Sequence, residues 1–356
     1  MHPKVSFVVP CFRLAHLLGD CVGSILSQTY SNLEVIVMDD CSPDETASVA
    51  ASFHDPRVRY VRNERNLGHL RNYNAGIALA QGEYVWMISA DDRLRARYVL
   101  ERFVGVMDRE PAVGFVFCPA IVFDGTTEGD VVSSHGPSDQ VFRRREFLKP
   151  LLQSNCVPAP AGMVRRSAYE KTGLFPLDLP FAGDWYLWLA LATYFDVAYF
   201  AEPMVHYRVH DLNMTKTCMR DLHGIIAEGE AVRWRVQRLI DEVGDRAIAA
   251  YATECMSYFY AALVARTALV HGTPVSLSAD QVEASINSHA PSAKDAAWLR
   301  ALVYDAAGDK RYDVGDRDAA RRYYASALKA RPRPKTTAKY ALARMGAPGA
   351  YLRQWL

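Results

Sequence analysis

The first 120 residues alternate between short, continuously apolar runs and segments whose apolar residues have helical spacing. Because polar residues do not alternate within the apolar runs, both faces of the strands that they form must be covered. Such strands, separated by helices, predict a parallel sheet with helices on both faces and right-handed crossovers. The predicted strands are residues 5–9, 34–38, 58–61, 84–88 and 114–117, and the predicted helices are residues 14–28, 46–53, 72–80 and 98–107.

The rest of the chain divides into two parts. Up to residue 215 the pattern remains mixed, and after it the pattern becomes helical, with few strand-like runs. We therefore expect an α/β catalytic domain over residues 1–215 and a helical C-terminal region over residues 216–356. Further predicted features are a polar loop at 125–136, an extended or turning segment at 157–162, a helix at 185–194, a strand at 197–200, and helix breaks near 272–274, 289–291 and 331–334. Within the helical region, residues 316–328 resemble one tetratricopeptide-type helix, in a single copy.

Charge and cysteine content set limits on partners and location. The net charge is +1, so nucleic acid is not an expected partner, but residues 316–356 carry +8 and the remainder −7. This basic tail predicts either peripheral contact with an anionic membrane surface or an ordinary solvated helical face. The seven cysteines include no C-x-x-C pair, which favours a reduced chain without zinc. With no signal-peptide pattern and no uncharged membrane-length run, we expect a cytoplasmic protein, peripheral at the inner face of the membrane if the tail binds lipid.

Two acidic pairs fall where predicted strands end. Asp39 and Asp40 follow the second strand, and Asp91 and Asp92 follow the fourth. Ligands of open parallel sheets bind beyond the carboxyl ends of the strands, where a carboxylate can accept from a nucleoside or hold Mg²⁺ or Mn²⁺ with substrate phosphates. Turn formation and helix capping explain the same residues without any ligand.

Three further residues have both a functional and a structural interpretation. Asp184 precedes an aromatic helix and is either a general base beside sugar-binding rings or a helix cap. His210 is either a contact to a metal or phosphate or a structural histidine. Arg71 follows a loop from which it could reach a diphosphate, although a solvated arginine at the start of a helix is the commoner case.

Taken in order, several short segments resemble the large family 2 group of inverting nucleotide-sugar glycosyltransferases. The resemblance covers residues 4 to about 215, and each segment is weak by itself. The segments are Val5–Pro10, Ser24–Tyr30, Met38–Ser42, Asn66–Gly68, Gly82–Tyr84, Asp91–Asp92 and Gly183–Asp184.

The resemblance implies a Rossmann-like domain of the A-type glycosyltransferase fold, with the nucleotide-sugar donor bound in its first half. By position, Pro10 and Phe12 would line the nucleotide pocket. Asp39 would contact the nucleobase, Asp40 would support the loop that carries Asp39, and Asp91 would lie near the ribose.

The same resemblance implies a metal and a base. Asp92 would ligate Mn²⁺ or Mg²⁺ at the diphosphate, His210 would help to hold metal or phosphate, and Asp184 would be the base. Two departures from the family pattern occur beside the acidic pairs. Cys41 replaces a usual glycine, and Ala90 stands in the donor site where an acid is often found.

The sequence thus predicts a metal-dependent inverting transfer from a UDP-, dTDP- or GDP-sugar to a hydroxyl of a glycan, glycolipid or protein, in cell-surface polysaccharide or glycoconjugate synthesis. A homodimer is compatible with this prediction. The alternatives are a nucleotidyltransferase that makes a nucleotide-sugar and a non-catalytic binding or scaffold protein. The first normally needs a glycine-rich phosphate loop after the first strand, and residues 10–14 contain no glycine.

Overall fold

A computed structural model of the chain describes residues 3–143, 145–210, 213, 222–253, 255, 283–284, 286–287 and 293–345. The chain forms two compact units, Met1–Cys218 with Arg238–Asp245, and Met219–Gln237 with Arg246–Leu356. The boundary that we predict between residues 215 and 216 lies outside the described residues, as do the predicted breaks near 272–274 and 289–291.

The first unit contains the strands and the shorter helices. Its strands are β1 (Val5–Cys11), β2 (Leu33–Asp39), β3 (Val58–Arg62), β4 (Tyr84–Met87), β5 (Arg93–Leu94), β6 (Val113–Phe117), β7 (Ala120–Phe123), β8 (Glu128–Val132), β9 (Gln140–Phe142), β10 (Gly162–Arg165), β11 (Asp196–Tyr199) and β12 (Val205–Arg208). Its helices are α1 (Ala15–Leu26), α2 (Thr46–Ala51), α3 (His69–Leu79), α4 (Val99–Arg109), α5 (Leu148–Gln153), α6 (Ala168–Thr172) and α7 (Gly183–Tyr194), with a 3₁₀ turn at Ala159–Ala161.

Eight strands form the main sheet in the order β3-β2-β1-β4-β10-β6-β11-β9. Strands β1, β2, β3 and β4 pair in parallel, as do β6 and β11, whereas β10 and β9 run antiparallel to their neighbours. The predicted α/β fold with a mainly parallel central sheet is therefore confirmed. A smaller sheet has the order β5-β12-β7-β8.

The predicted loop at residues 125–136 is wrong in its centre, because β8 pairs there antiparallel with β7. This strand lies at the edge of the smaller sheet, and most of its residues are exposed. An edge strand of this kind buries no continuous apolar face, so its sequence carries little strand signal. The predicted helix at 72–80 also begins earlier, at His69, directly after Gly68 with its φ of 83°.

A row of packed aromatic rings forms the centre of the core of the first unit. Phe7 on β1 stacks on Trp86 of β4 with ring centroids 5.4 Å apart, and Trp86 stacks on Phe103 of α4 at 4.4 Å. Phe200 continues the row at 5.3 Å from Phe103. Each such pair adds roughly 0.5–1.5 kcal/mol beyond the burial of apolar area. The row thus fixes β4, whose end carries the second acidic pair, against β1.

The second unit is helical where it is described. Its long helices are α8 (Leu222–Val243, whose last residues belong to the first unit), α9 (Ala293–Asp313), α10 (Arg317–Ala330) and α11 (Pro334–Met345). The helix predicted at 316–328 is confirmed as α10, and Asp316 caps it by accepting from the backbone N–H of Ala319 at 3.0 Å. Among the described residues, no helix has both the length and the apolar content that a membrane span requires.

Part of the charge of the basic tail is neutralised inside the second unit. Lys339 is buried and donates to Asp305 at 2.9 Å and to Asp309 at 2.7 Å. Burial opposes the charge of Lys339, but the two carboxylates outweigh it and raise the pKa of the ammonium group. This lysine therefore does not contribute to a solvated basic face.

We expect Gly76→Ala to destabilise the first unit. Helix α3 approaches the sheet so closely at Gly76 that an added Cβ would lie 2.4 Å from Cγ1 of Val8 and 2.9 Å from Cγ of Met38. Overpacking of this kind costs about 1–3 kcal/mol, which urea unfolding would measure. As the control, Gly19→Ala adds a methyl group where no atom lies within 4 Å, and it should stabilise by up to about 1 kcal/mol. Equal stability of the two variants would contradict the close approach of α3.

Candidate functional site

Three strand ends meet at one edge of the main sheet. β1 lies between β2 and β4, so the chain order reverses beside it. Just beyond the strands, the backbone N–H of Asp40 donates to the carbonyl of Cys11 at 2.9 Å, and that of Ala90 donates to the carbonyl of Pro10 at 3.1 Å. Both acidic loops are therefore attached to the end of β1, at the switch point where ligands of open α/β sheets bind.

Asp39 is fully buried and holds its own loop together. Its carboxylate accepts from the backbone N–H of Ser42 at 2.8 Å, from the Tyr60 hydroxyl at 2.6 Å and from Nη1 of Arg62 at 3.0 Å. The arginine offsets the carboxylate charge that burial would otherwise destabilise. The predicted contact of Asp39 with a nucleobase stays a prediction.

Asp40 anchors the segment that leads into α3. Its carboxylate accepts from Nδ2 of Asn63 at 2.8 Å and from the backbone N–H groups of Leu67 at 2.8 Å and Gly68 at 3.0 Å. One carboxylate thus holds three donors in place, and hydrogen bonds to a charged acceptor are stronger than those between neutral groups. These bonds reach residues 63–68 instead of the loop that carries Asp39 and Asp40, so the predicted support of that loop stays a prediction.

Two non-glycine residues beside these loops have left-handed backbone conformations. Arg13 and Cys41 both have a φ of 60°, a region that costs an ordinary residue roughly 1–2 kcal/mol. Cys41 stands where the resembled family usually has glycine, and the turn keeps the glycine-like conformation in spite of the substitution. Strain of this kind clusters at functional sites. Both strained residues flank the same strand ends.

Asp91 and His210 are in direct contact. Nε2 of His210 lies 3.0 Å from Oδ2 of Asp91, and Nδ2 of Asn213 lies 3.4 Å from the same oxygen. The other oxygen, Oδ1, is buried and has no hydrogen-bond partner among the described residues. A buried carboxylate oxygen normally has a partner, so this one is available for a ligand.

Asp92 is more deeply buried than Asp91 and points elsewhere. Its Oδ1 accepts from the backbone N–H of Arg208 at 2.9 Å. Burial, with the charge of Asp91 adding to it, raises the pKa of Asp92 well above its usual range. The sequence predicts a metal held by Asp92 with His210, whereas the histidine contacts Asp91, because Asp92 turns towards β12.

Asp184 lies in the first turn of α7, half-buried. Its Oδ2 accepts from Nδ2 of Asn155 at 3.1 Å, and its Oδ1 accepts from the backbone N–H of Trp185 at 2.7 Å. Burial raises the pKa of Asp184, and these two donors act against that rise. A carboxylate with a raised pKa is a better proton acceptor near neutral pH.

The segment before Asp184 is fastened to α3, the helix that Asp40 anchors. The side-chain amide of Asn74 exchanges two hydrogen bonds with the backbone of Phe175, at 2.8 and 3.0 Å. Nε2 of His69 lies 2.9 Å from the carbonyl of Pro180. The segment that leads to Asp184 and the loop of Asp40 are therefore joined through α3.

The remaining predicted residues lie as follows. Pro10 and Ala90 are buried at the strand ends, where they hydrogen-bond to each other through the backbone. Phe12 is 39% exposed, with the Arg13 guanidinium 5.2 Å from its ring centre, so one aromatic side chain is accessible beside the strand ends. Arg71 is exposed on α3 and has no hydrogen bond or ion pair within the part of the chain that the structure describes.

Sequence reasoning missed Arg208. Its side chain is buried, and its Nε donates to the carbonyl of Asp91 at 2.8 Å while Nη2 contacts Asp20 at 3.1 Å. Alternation along β12 would place Arg208 with His206 on the face opposite Val205 and Tyr207, so the sequence carries no signal for an inward arginine. Asn155 and Asn63 lie in loops, where no sequence pattern indicates their contacts.

Comparisons with known proteins identify glycosyltransferases as similar sequences. The glycosyl transferase family 2 model matches residues 6–173. An uncharacterized glycosyltransferase of Rickettsia typhi is 27% identical over 224 residues, which are 62% of this chain and 68% of the relative. Succinoglycan biosynthesis protein ExoO of Rhizobium meliloti is 34% identical over 147 residues, 41% of this chain and 39% of the relative. The putative colanic acid biosynthesis glycosyl transferase WcaA of Escherichia coli is 37% identical over 93 residues, 26% of this chain and 33% of the relative.

Solved structures share the fold. Staphylococcus aureus TarS 1-349 in complex with UDP-GlcNAc is similar with a TM-score of 0.61 and 13% identity, covering 97% of this chain and 92% of that one. The mannosyltransferase PcManGT of Pyrobaculum calidifontis, in complex with GDP-Man and Mn²⁺, has a TM-score of 0.51 and 17% identity, covering 100% and 88%. At these identities the likeness shows the fold alone.

We expect Asp40→Asn to loosen the loop before α3. The substitution places an NH₂ group against at least one of the three donors that Asp40 accepts, and an unpaired buried group costs about 1–3 kcal/mol. Urea unfolding should show that loss, and hydrogen exchange should be faster at the amides of Leu67 and Gly68. Asp130→Asn, at an exposed carboxylate of β8, is the control and should change neither quantity. Unchanged exchange in Asp40→Asn would count against the anchoring role.

Proposed function

We propose that the chain, whose residues 6–173 match the family 2 glycosyltransferase model, transfers a sugar from a nucleotide-diphosphate donor to an acceptor hydroxyl with inversion at the anomeric carbon. The convergence of both acidic loops on the end of β1 carries the proposal. It gathers Asp39, Asp40 and Asp91 at the edge of the sheet where a nucleotide would bind. The donor-bound complexes of the structural neighbours support the same class of donor.

The proposal assigns a divalent cation, Mn²⁺ or Mg²⁺, to Asp91 and His210. The unpartnered Oδ1 of Asp91 fits a hard cation, which prefers oxygen ligands and keeps further positions for substrate phosphates. No group of three His, Cys, Asp or Glu side chains within the described residues makes a ready-formed metal site, so phosphate oxygens would have to complete it. When bound, the cation neutralises the diphosphate leaving group. Asp92 then has a supporting role, in which its carboxyl group bonds to the backbone N–H of Arg208.

Asp184 is the proposed general base. It would take the proton of the acceptor hydroxyl as that oxygen attacks the anomeric carbon from the face opposite the diphosphate. The hydrogen bonds from Asn155 and Trp185 hold the carboxylate in one orientation, and its raised pKa suits proton transfer near neutral pH. The contacts between α3 and the segment before Asp184 support a fixed position relative to the donor loops.

We place the reaction in the synthesis of a cell-surface polysaccharide or glycoconjugate. The names of two relatives refer to succinoglycan and colanic acid biosynthesis, which supports a glycan acceptor. The matched region covers 33–68% of the relatives compared. The chemical nature of the acceptor is therefore proposed here and is not taken from the activities of those relatives. Membrane contact through residues 316–356 and a homodimer remain predictions from the sequence.

We expect Asp184→Asn to lower turnover by about 10²–10⁴-fold, because an amide cannot accept the hydroxyl proton. Donor affinity should be unchanged. The donor is first selected from a panel of nucleotide-sugars by thermal stabilisation with Mn²⁺, and steady-state kinetics with calorimetry then separate turnover from binding. Wild-type transfer by this variant would remove Asp184 from the mechanism.

The matched variant is Asn155→Ala, which keeps the base but removes a donor that stabilises its charged form. The base works deprotonated, so activity falls as pH drops through the pKa of Asp184. Without Asn155 that pKa rises further, and the acidic limb of the pH–rate profile should move to higher pH. An acidic limb at the wild-type position would show that another group controls it.

We expect Asp91→Asn to abolish the Mn²⁺-dependent part of donor affinity, whereas Asp92→Asn should retain most of it. Oδ1 of Asp91 is buried without a partner among the described residues and the carboxylate lies beside His210, whereas Oδ1 of Asp92 is bonded to the backbone of Arg208. Calorimetric titration of the donor with and without Mn²⁺ measures the difference. The reverse result would restore the sequence-based assignment of the metal to Asp92.

A further inference from the structure

A cavity of about 400 Å³ opens on the flank of the first unit, between α1 and the segment that begins with β5. α1 follows the end of β1, and Cys21 in this helix contacts the carbonyl of Ser89 at 3.5 Å, so the cavity lies beside the second acidic loop. The residues that line the cavity include Gly19, Asp20 and Gly23 on the side of the helix and Arg93, Arg95 and Arg97 on the side of the segment.

The two glycines keep the helical wall open. A Cβ added to Gly19 or Gly23 would meet no atom within 4 Å. Glycine inside a helix is destabilising relative to alanine, and it is usually retained where another part of the protein approaches closely. Gly76 has such a neighbour in Val8, whereas these two glycines line the cavity.

The opposite wall carries an excess of positive charge. Arg93 and the adjacent Arg208 share Asp20, at 3.5 and 3.1 Å. Arg95 pairs with Glu128 at 2.9 Å. Arg97 donates to the carbonyl of Ser27 at 2.9 Å and takes part in no ion pair within the described part of the chain. The lining itself contains three arginines, Arg93, Arg95 and Arg97, and one acid, Asp20, which leaves an excess of two positive charges.

His206 does not add to this charge. Burial lowers its pKa, its Nε2 contacts Glu128 at 2.6 Å, and its Nδ1 accepts from Nε of Arg93 at 3.1 Å. A ring nitrogen that accepts from a guanidinium group is unprotonated. The imidazole therefore orients Arg93 at the mouth of the cavity.

We propose that this cavity binds a phosphate group, held by Arg93 and Arg97, with the rest of the ligand lying over Gly19 and Gly23. Guanidinium forks match phosphate oxygens in geometry, and a phosphate monoester dianion balances the excess of two charges. The cavity is larger than a phosphate and lies within the usual range for small-molecule sites, so it has room for an organic part. The phosphate belongs either to a soluble compound or to a lipid headgroup.

The test uses the full chain with two probes. Inorganic phosphate is titrated by calorimetry, and phosphatidylcholine vesicles with and without phosphatidic acid are used in sedimentation. Gly23→Leu fills the cavity and Arg97→Gln removes its unpaired charge. Arg109→Gln, an exposed arginine in the last turn of α4, is the charge-matched control, and Gly23→Ala checks the fold, since it should raise the melting temperature.

We expect both cavity variants to bind at least one probe about tenfold or more weakly, and Arg109→Gln to bind as the wild type does. Phosphate bound at the catalytic cleft does not obscure the result, because neither substitution changes a residue that we assign to that cleft. If the two cavity variants bind inorganic phosphate more weakly than the wild type, the ligand is a soluble compound. If only their binding to phosphatidic acid vesicles is weaker, the ligand is a lipid headgroup. Equal binding by all variants, or no binding of either probe by the wild type, would overturn the proposal.

Discussion

The position of β1 between β2 and β4 is the constraint on which the catalytic unit depends. Parallel pairing on both sides of β1 brings the ends of β2 and β4 to one edge of the sheet. The backbone bonds from Asp40 to Cys11 and from Ala90 to Pro10 then fasten both acidic loops to the same strand. The row of aromatic rings holds β4 against β1 from the side of the core. The chemistry of the cleft thus rests on sheet pairing more than on any single side chain.

Buried charge at this edge is tolerated because the carboxylates have their own donors. Asp39 accepts from an arginine and a tyrosine, and Asp40 accepts from the backbone of the loop before α3. A buried ion without such donors would neutralise or unfold the site. Asp91 differs in having a buried oxygen, Oδ1, without a partner in the described part of the chain, and in lying beside His210.

Much of the fold could be predicted from the sequence, because continuous apolar runs report burial on both faces of a strand. β1, β2, β4 and β6 follow this pattern. β8 does not, since an exposed edge strand has no buried face to reveal it. In the site, the acidic pairs were visible because they follow strands directly. The contact of His210 with Asp91 instead of Asp92 was not, because it depends on which way two adjacent side chains turn. Arg208 and Asn155 contact residues that are distant in sequence, and no local pattern records such contacts.

The polar character of β8 has a consequence for the behaviour of the protein in solution. An unpaired strand edge is a template for association with another chain, and native proteins protect such edges with charge. β8 carries Glu128 and Asp130 along its exposed length, and Glu128 is also occupied by Arg95 and His206. The unpaired edge of the smaller sheet is therefore poorly suited to pairing with a strand of another chain. This favours resistance to aggregation at high concentration.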